Sequence, residues 1–220
     1  FLESMRSVNL SALERRAATI TRRRSIKGDN QAAWLLRAIA LMDLTTLSSN
    51  DTDERVRRLC AKALHPLSPG LEKGLGLGSH RAACGAAHLK VILGTGDLAT
   101  LRNVTLASMV AMMAGADFIK TSTGKESVNA TLPVGLAMVR AIRAYFEETG
   151  YLIGFKPVGG ISTAKAALDW LVLMKEERGR QWLEPELFRF GASSLLTDIE
   201  RQLEHHVTGH YSANHRHAMA

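Results

Sequence analysis

Apolar positions recur along the chain at two periods, one helical and one strand-like, and they divide it into short units. Residues 9–24 read as a helix, and residues 31–40 as a second, apolar helix running into a strand at 41–44. Asp51 with Glu54 three residues later makes a start resembling a capping box, after which Val56, Leu59 and Ala63 fall at helical spacing. That helix is expected to end near His65 and Pro66. Four further β-prone runs follow, at 89–93, 117–121, 153–156 and 187–191, each leading through polar or glycine residues into a helix. In the unit after the second run, Pro133 opens a helix on which Val134, Met138, Ala141 and Tyr145 share a face, and Gly150 stops it.

Lys90, Lys120, Lys156 and Gly191 mark equivalent points in successive units and lie 30, 36 and 35 residues apart. This is the length of a βαβ repeat with its crossover helix, so a parallel sheet is expected. A (β/α)₈ barrel and a doubly wound sheet both satisfy that spacing. The whole of residues 1–220 is expected to form one domain, with N-terminal helices at 1–40, an irregular join at 67–80 and a C-terminal tail at 211–220.

Composition narrows the class. A hydrophobic fraction of 46% and a charged fraction of 22% describe an ordinary globular chain. Cys60 and Cys84 are too few for a disulfide framework, which points to a reducing, cytoplasmic setting. No run approaches the ~20 apolar residues of a membrane span, and no membrane partner is expected. The first residue is Phe rather than Met, as in a fragment or a processed product.

The net charge of +7 suits an anionic partner, either nucleic acid or a phosphorylated small molecule. The densest basic run, Arg22, Arg23, Arg24 and Lys27, has no interleaved aromatic residues. Single-strand binders need such rings for stacking, so the run reads as a solvated helix end and no nucleic acid is expected.

The chemistry concentrates where strands end. Lys120 and Lys156 each close an apolar run, in DFIKTSTG at 117–124 and GFKPVGG at 154–160. In a barrel, side chains at the C-terminal ends of strands face the active site. A lysine attacks a carbonyl only as the free amine, and its ordinary pKa near ~10.4 leaves little of that form at neutral pH. A second ammonium beside it, together with desolvation, disfavours the charged form. The competing reading is two strand-end lysines reaching to water. Glycine loops follow the last two runs, at Gly159-Gly160 and at Gly191-Ala192-Ser193-Ser194. Taken alone, such loops are commonly tight turns. Two on consecutive units, beside two lysines, favour a phosphate pocket of backbone N–H and hydroxyl donors.

FIKTSTGK at 118–125, VNAT at 128–131, GFKPVGGI at 154–161 and FGASSLL at 190–196, in that order, resemble the deoxyribose-phosphate aldolases. LMDLTTL at 41–47, DTDERV at 51–56 and HLKVILGTGDL at 88–98 look like the same family's first and fifth strand regions. The resemblance implies a (β/α)₈ barrel. It implies Lys120 as the Schiff-base lysine and Lys156 as the second lysine that tunes it, with Asp43 and Lys90 in supporting polar positions. It further implies substrate contact at Thr45 and a phosphate pocket from Gly124, Lys125, Gly159, Gly160, Gly191, Ser193 and Ser194. The implied reaction is reversible cleavage of 2-deoxy-D-ribose 5-phosphate to glyceraldehyde 3-phosphate and acetaldehyde, with no metal or organic cofactor.

A complete barrel needs about 250 residues, yet five strands are readable in this chain and the join at 67–80 stands where three others are expected. In the resemblance, that missing section carries an acid for proton transfer in an Asp-Val-Val-like run, and no such run occurs here. A splice variant, an incomplete gene model, an omitted segment and a shortened relative would each leave this pattern. Open sheet edges predict association, including homo-oligomers. An active aldolase, an impaired isoform that binds at most phosphates or a partner chain, and a basic nucleic-acid binder are the three functional readings. Tyr211 precedes a divergent tail, and His206 and His210, though spaced as helical metal ligands, lack a third ligand, so no metal site is expected.

Overall fold

The computed structural model describes residues 8–22, 26–44, 58, 62, 66–76, 89–192 and 194–213. These group into two compact units, one containing residues 87–161 and 169–191 with the N-terminal helix, the other containing 25–86, 162–168 and 192–220.

The first unit is built on a parallel sheet. Strands β2 (Lys90–Ile92), β3 (Phe118–Lys120) and β4 (Gly154–Lys156) lie side by side in chain order. Parallel bridges from Phe155 to Phe188 and from Val158 to Gly191 bring β5 (Phe190–Gly191) alongside β4. Each strand thus neighbours the next in sequence, without the order reversal that marks a doubly wound sheet. This is a sector of a β/α barrel, and the strand segments fall inside the predicted runs.

Helices α4 (Leu101–Met113), α5 (Leu132–Thr149) and α6 (Ala164–Arg178) make the crossovers. Thr100 caps α4 by accepting from the Asn103 N–H at 3.1 Å, and Thr131 caps α5 ahead of Pro133. Gly150, at φ 74°, ends α5 as its residue type predicts. Trp170 of α6 lies against Gly135 of α5 and 6.0 Å from the ring of Phe155 on β4. Phe155, Phe188 and Phe190 continue this aromatic contact along the helix-facing side. Successive strand residues point to opposite faces, so the helix layer covers the face opposite Lys156.

The helix layer is also tied by charge. Glu177 accepts from Arg16 of α1 (Leu10–Arg22) at 3.2 Å and from Arg140 and Arg143 of α5 at 3.3 and 3.4 Å. Arg178 stacks over Trp182, 3.8 Å from the ring centroid, and its pKa is lowered, first by burial and then by the charge of Arg143.

The second unit contains α2 (Gly28–Ala40), β1 (Met42–Asp43), α3 (Pro69–Gly74) and α7 (Ser194–Thr208). Helices α2 and α3 both pack on α7. Within the expected irregular join at 67–80, residues 69–74 form the helix α3, while 77–80 lie outside the described residues. Pro69 stands at the first helical turn, where its missing N–H costs nothing, and Leu71 is buried. Gly74 gives the close approach to Val207 of α7. The expected start at Asp51 and Glu54 lies outside the described residues, while Arg58 and Lys62 are helical. Lys62 reaches the buried Glu200 of α7 at 2.7 Å, and the Asp198 carboxylate accepts from the Ala164 N–H at 2.7 Å, capping α6.

Among the described residues, no helix is long and apolar enough to cross a membrane, and no group of three metal-ligating side chains forms. His205 and His206 end α7, His205 stacking on Tyr211 at 4.1 Å and His206 lying 3.5 Å from Asp29.

Candidate active site

The register of the sheet decides the site. Ile92, Lys120 and Lys156 are lateral partners across β2, β3 and β4, and one level below Lys90 pairs with Phe118, which pairs in turn with Gly154. All six side-chain positions therefore share one face. On it, the Phe118 ring occupies the space that a side chain on Gly154 would fill, and the Lys90 ammonium sits 4.9 Å above that ring. Glycine at 154 is thus a steric requirement of Phe118, and Phe118 in turn supports the layer on which the two lysines stand. Lys120 and Lys156 are the last residues of their strands, with Lys120 half-buried and Lys156 only 8% exposed. Adjacent strands lie about 4.8 Å apart, so the two side chains leave the backbone as immediate neighbours.

Just beyond the lysines the glycine loops converge. Gly124 has φ 92°, Gly159 φ 87° and Gly160 φ 77°, a region that glycine alone enters without strain. The Cβ position of Gly124 lies 4.0 Å from both the N and the Cα of Gly159, so the loops after β3 and β4 face one another. Gly191 lies against the Val158 side chain, and its N–H donates to the Pro157 carbonyl at 3.0 Å. Among the described residues, none accepts from the N–H groups of Gly124, Gly159 or Gly160. Lys125, exposed on the same loop, brings a positive charge. Such a set of N–H groups beside an ammonium favours an anion.

The predicted residues therefore divide. Lys90, Lys120, Lys156, Gly124, Lys125, Gly159, Gly160 and Gly191 belong to the first unit, where sheet register and loop contact bring them together. Asp43, half-buried on β1, and Ser194, exposed at the start of α7, belong to the second. Thr45 and Ser193 lie outside the described residues. Asp117, which precedes the lysine strand, is engaged structurally: its carboxylate accepts from the Leu89 N–H at 2.8 Å and pins the start of β2.

In the loop joining β3 to α5, sequence reasoning singled out Gly124 and Lys125 but gave no role to Thr121, Ser122, Glu126 or Asn129. Thr121 Oγ1 accepts from the Val158 N–H at 2.9 Å, and Ser122 Oγ donates to the Val158 carbonyl at 2.7 Å, both buried. The Glu126 carboxylate accepts from the N–H of Thr123 at 2.9 Å and from its hydroxyl at 3.2 Å. These hydroxyls hold the two loops to each other. Their only signal in sequence was the density of Ser and Thr directly after the lysine.

A family model of the DeoC/LacD family aldolases matches residues 76–199. The deoxyribose-phosphate aldolases of Mus musculus and Homo sapiens are each 43% identical to this chain over 294 aligned positions, covering 94% of this chain and 92% of theirs. This chain belongs to the DeoC/LacD aldolase family. The Bos taurus deoxyribose-phosphate aldolase aligns over the same extent at 42% identity. The matched span of this aldolase holds β2 to β5, both lysines and all of the glycine loops. An alignment of 294 positions exceeds the 220 residues of the chain, so those relatives carry a stretch with no counterpart here. That agrees with the barrel units expected to be missing.

Proposed function

We propose that this aldolase cleaves 2-deoxy-D-ribose 5-phosphate reversibly to D-glyceraldehyde 3-phosphate and acetaldehyde through a Schiff base on Lys120. The lateral pairing of Lys120 with Lys156 at strand ends, directly below facing glycine loops, carries the reading. The Lys120 amine adds to the C1 aldehyde of the open-chain sugar and water leaves, giving an iminium. As the C2–C3 bond breaks, its electron pair flows into the iminium to form an enamine, and the C3 hydroxyl loses its proton as it becomes the new aldehyde. The enamine then takes a proton at C2, and hydrolysis of the resulting imine frees acetaldehyde and Lys120. Lys156, one strand over, is placed to tune Lys120 and to move protons. Lys90 and Asp43 are supporting polar groups. The N–H groups at Gly124, Gly159 and Gly160, with Lys125, would hold the phosphate, aided by Gly191, Ser193 and Ser194 and with Thr45 touching the sugar.

The same reading puts the protein in deoxyribose catabolism in the cytoplasm, acting on a phosphorylated sugar as a single-domain chain, with self-association through its sheet edges. A second reading, an impaired isoform, is favoured by the internal stretch that the aligned relatives have and this chain lacks. Borohydride reduction in the presence of acetaldehyde, mass mapping of the adduct and the retro-aldol rate on the same folded sample separate the two. An adduct on Lys120 with turnover is expected for the enzyme. Trapping without turnover selects the impaired isoform, and an adduct that survives Lys120→Ala overturns the assignment.

A further inference from the structure

Asn129 ends the loop after β3 that carries Gly124, is hydrogen-bonded to that loop and lies against Gly159 of the loop after β4. Its side-chain carbonyl lies 3.0 Å from Ser122 Oγ, whose single proton is shared between it and the Val158 carbonyl at 2.7 Å, and its amide donates to the Glu126 carbonyl at 2.7 Å. The next residue, Ala130, donates its N–H to the Val158 carbonyl at 3.2 Å. A Cβ on Gly159 would run into Cβ, Cγ and Oδ1 of Asn129, so the side chain lies directly against the backbone of the second loop. On the other side, the Val128 carbonyl closes on Gly96 of the loop after β2. Asn129 is half-buried, with both ends of its amide engaged inside one unit of the protein.

We infer that Asn129 is a positioning residue that sets the separation of the Gly124 and Gly159 loops, and through it the preference for a phosphorylated over an unphosphorylated aldehyde. The physical reason is the two-sided amide. One end stops the Ser122–Glu126 loop from opening, while the flank of the side chain blocks Gly159 from collapsing onto it. The distance between the Gly124 and Gly159 backbones is thereby kept at one width, and an anion held by both loops fits only at that width. Lys120 and Lys156 end the strands below these loops. The inference rests on the proposed aldolase reading for its substrate and deepens it at the phosphate end.

The test compares Asn129→Ala with the parent chain on 2-deoxyribose 5-phosphate and on 2-deoxyribose. The expected result is a KM for the phosphorylated sugar raised about tenfold with kcat nearly unchanged, within the ~10²-fold that a 1 Å misplacement can cost. The kcat/KM for 2-deoxyribose should stay at the parent value, so the preference for phosphate falls by the same factor. Equal losses on both sugars, or no change on either, would overturn the inference. Inorganic phosphate, titrated against melting temperature, gives an arm independent of turnover. If the parent does not turn over, the aldolase reading fails, yet a phosphate-induced rise in the parent that is lost in Asn129→Ala still supports the positioning role. An equal rise in both, or none in the parent, overturns it. Should Asn129→Ala fail to fold by circular dichroism, Ser122→Ala, which removes one hydroxyl of the contact, carries the same expectations and the same refuting results.

Discussion

Lys120 and Lys156 are lateral partners on adjacent parallel strands, 36 residues apart in sequence and one strand spacing apart in space. Each also ends its strand, so both amines emerge at the same level on the same face. Replacing Lys156 by Ala is therefore expected to slow adduct formation on Lys120 by about 10²-fold or more, the usual scale for a lost proton-transfer partner. The time course of borohydride trapping with acetaldehyde measures it, and an unchanged trapping rate would exclude Lys156 from the chemistry.

Gly154→Ala places a methyl group where the Phe118 ring already lies. Both positions are fully buried in the sheet, and the strand backbone cannot retreat without breaking its register. Overpacking of this kind destabilises by about 1–3 kcal/mol. Urea unfolding should show that loss, accompanied by reduced activity because Phe118 underlies the lysine level. A variant as stable as the parent would show that the ring has another place to go.

Glu177 is one nearly buried carboxylate shared by Arg16, Arg140 and Arg143. Its truncation in Glu177→Ala takes from Arg140 and Arg143 the carboxylate they share and leaves Arg16 with Glu176 alone, at 2.8 Å. Because each arginine is partly solvated, the cost should fall below the 3–5 kcal/mol of a fully buried pair, at about 2 kcal/mol. Chemical denaturation would detect this, and added salt should shrink it by screening the arginines. A change below a few tenths of a kcal/mol would reduce the cluster to a surface contact.

Arg178 covers the indole of the fully buried Trp182 and approaches Phe146 at 5.2 Å. Arg178→Ala removes both the cation over the rings and the aliphatic stem that seals them. The expected loss is about 1–2 kcal/mol. A red shift of tryptophan emission should accompany it as water reaches Trp182. Unaltered emission would mean that other side chains suffice to cover the ring.

Much of this architecture could be read before any coordinates. The four downstream strands lie inside the runs at 89–93, 117–121, 153–156 and 187–191, and α5 begins beside Pro133 and ends before Gly150. These signals are local: an apolar run bounded by glycine, a proline at a helix start, a threonine cap. The segment at 69–74 escaped because its six residues carry one buried side chain, Leu71, and gain their helical state from packing on α7. Asn129, Glu126 and Ser122 escaped for a different reason. Nothing in a short polar stretch says which loop its amides and hydroxyls will meet.

By itself the sequence determined the order of strands and helices, the lysines at strand ends and the glycine loops beyond them, because each depends on residues within a turn or two of itself. Only the tertiary structure decided that Lys120 faces Lys156, that Gly124 faces Gly159, and that Asn129 stands between the loops. Those relationships join residues some 30 positions apart, and they exist only once strand register and loop packing choose which distant groups become neighbours.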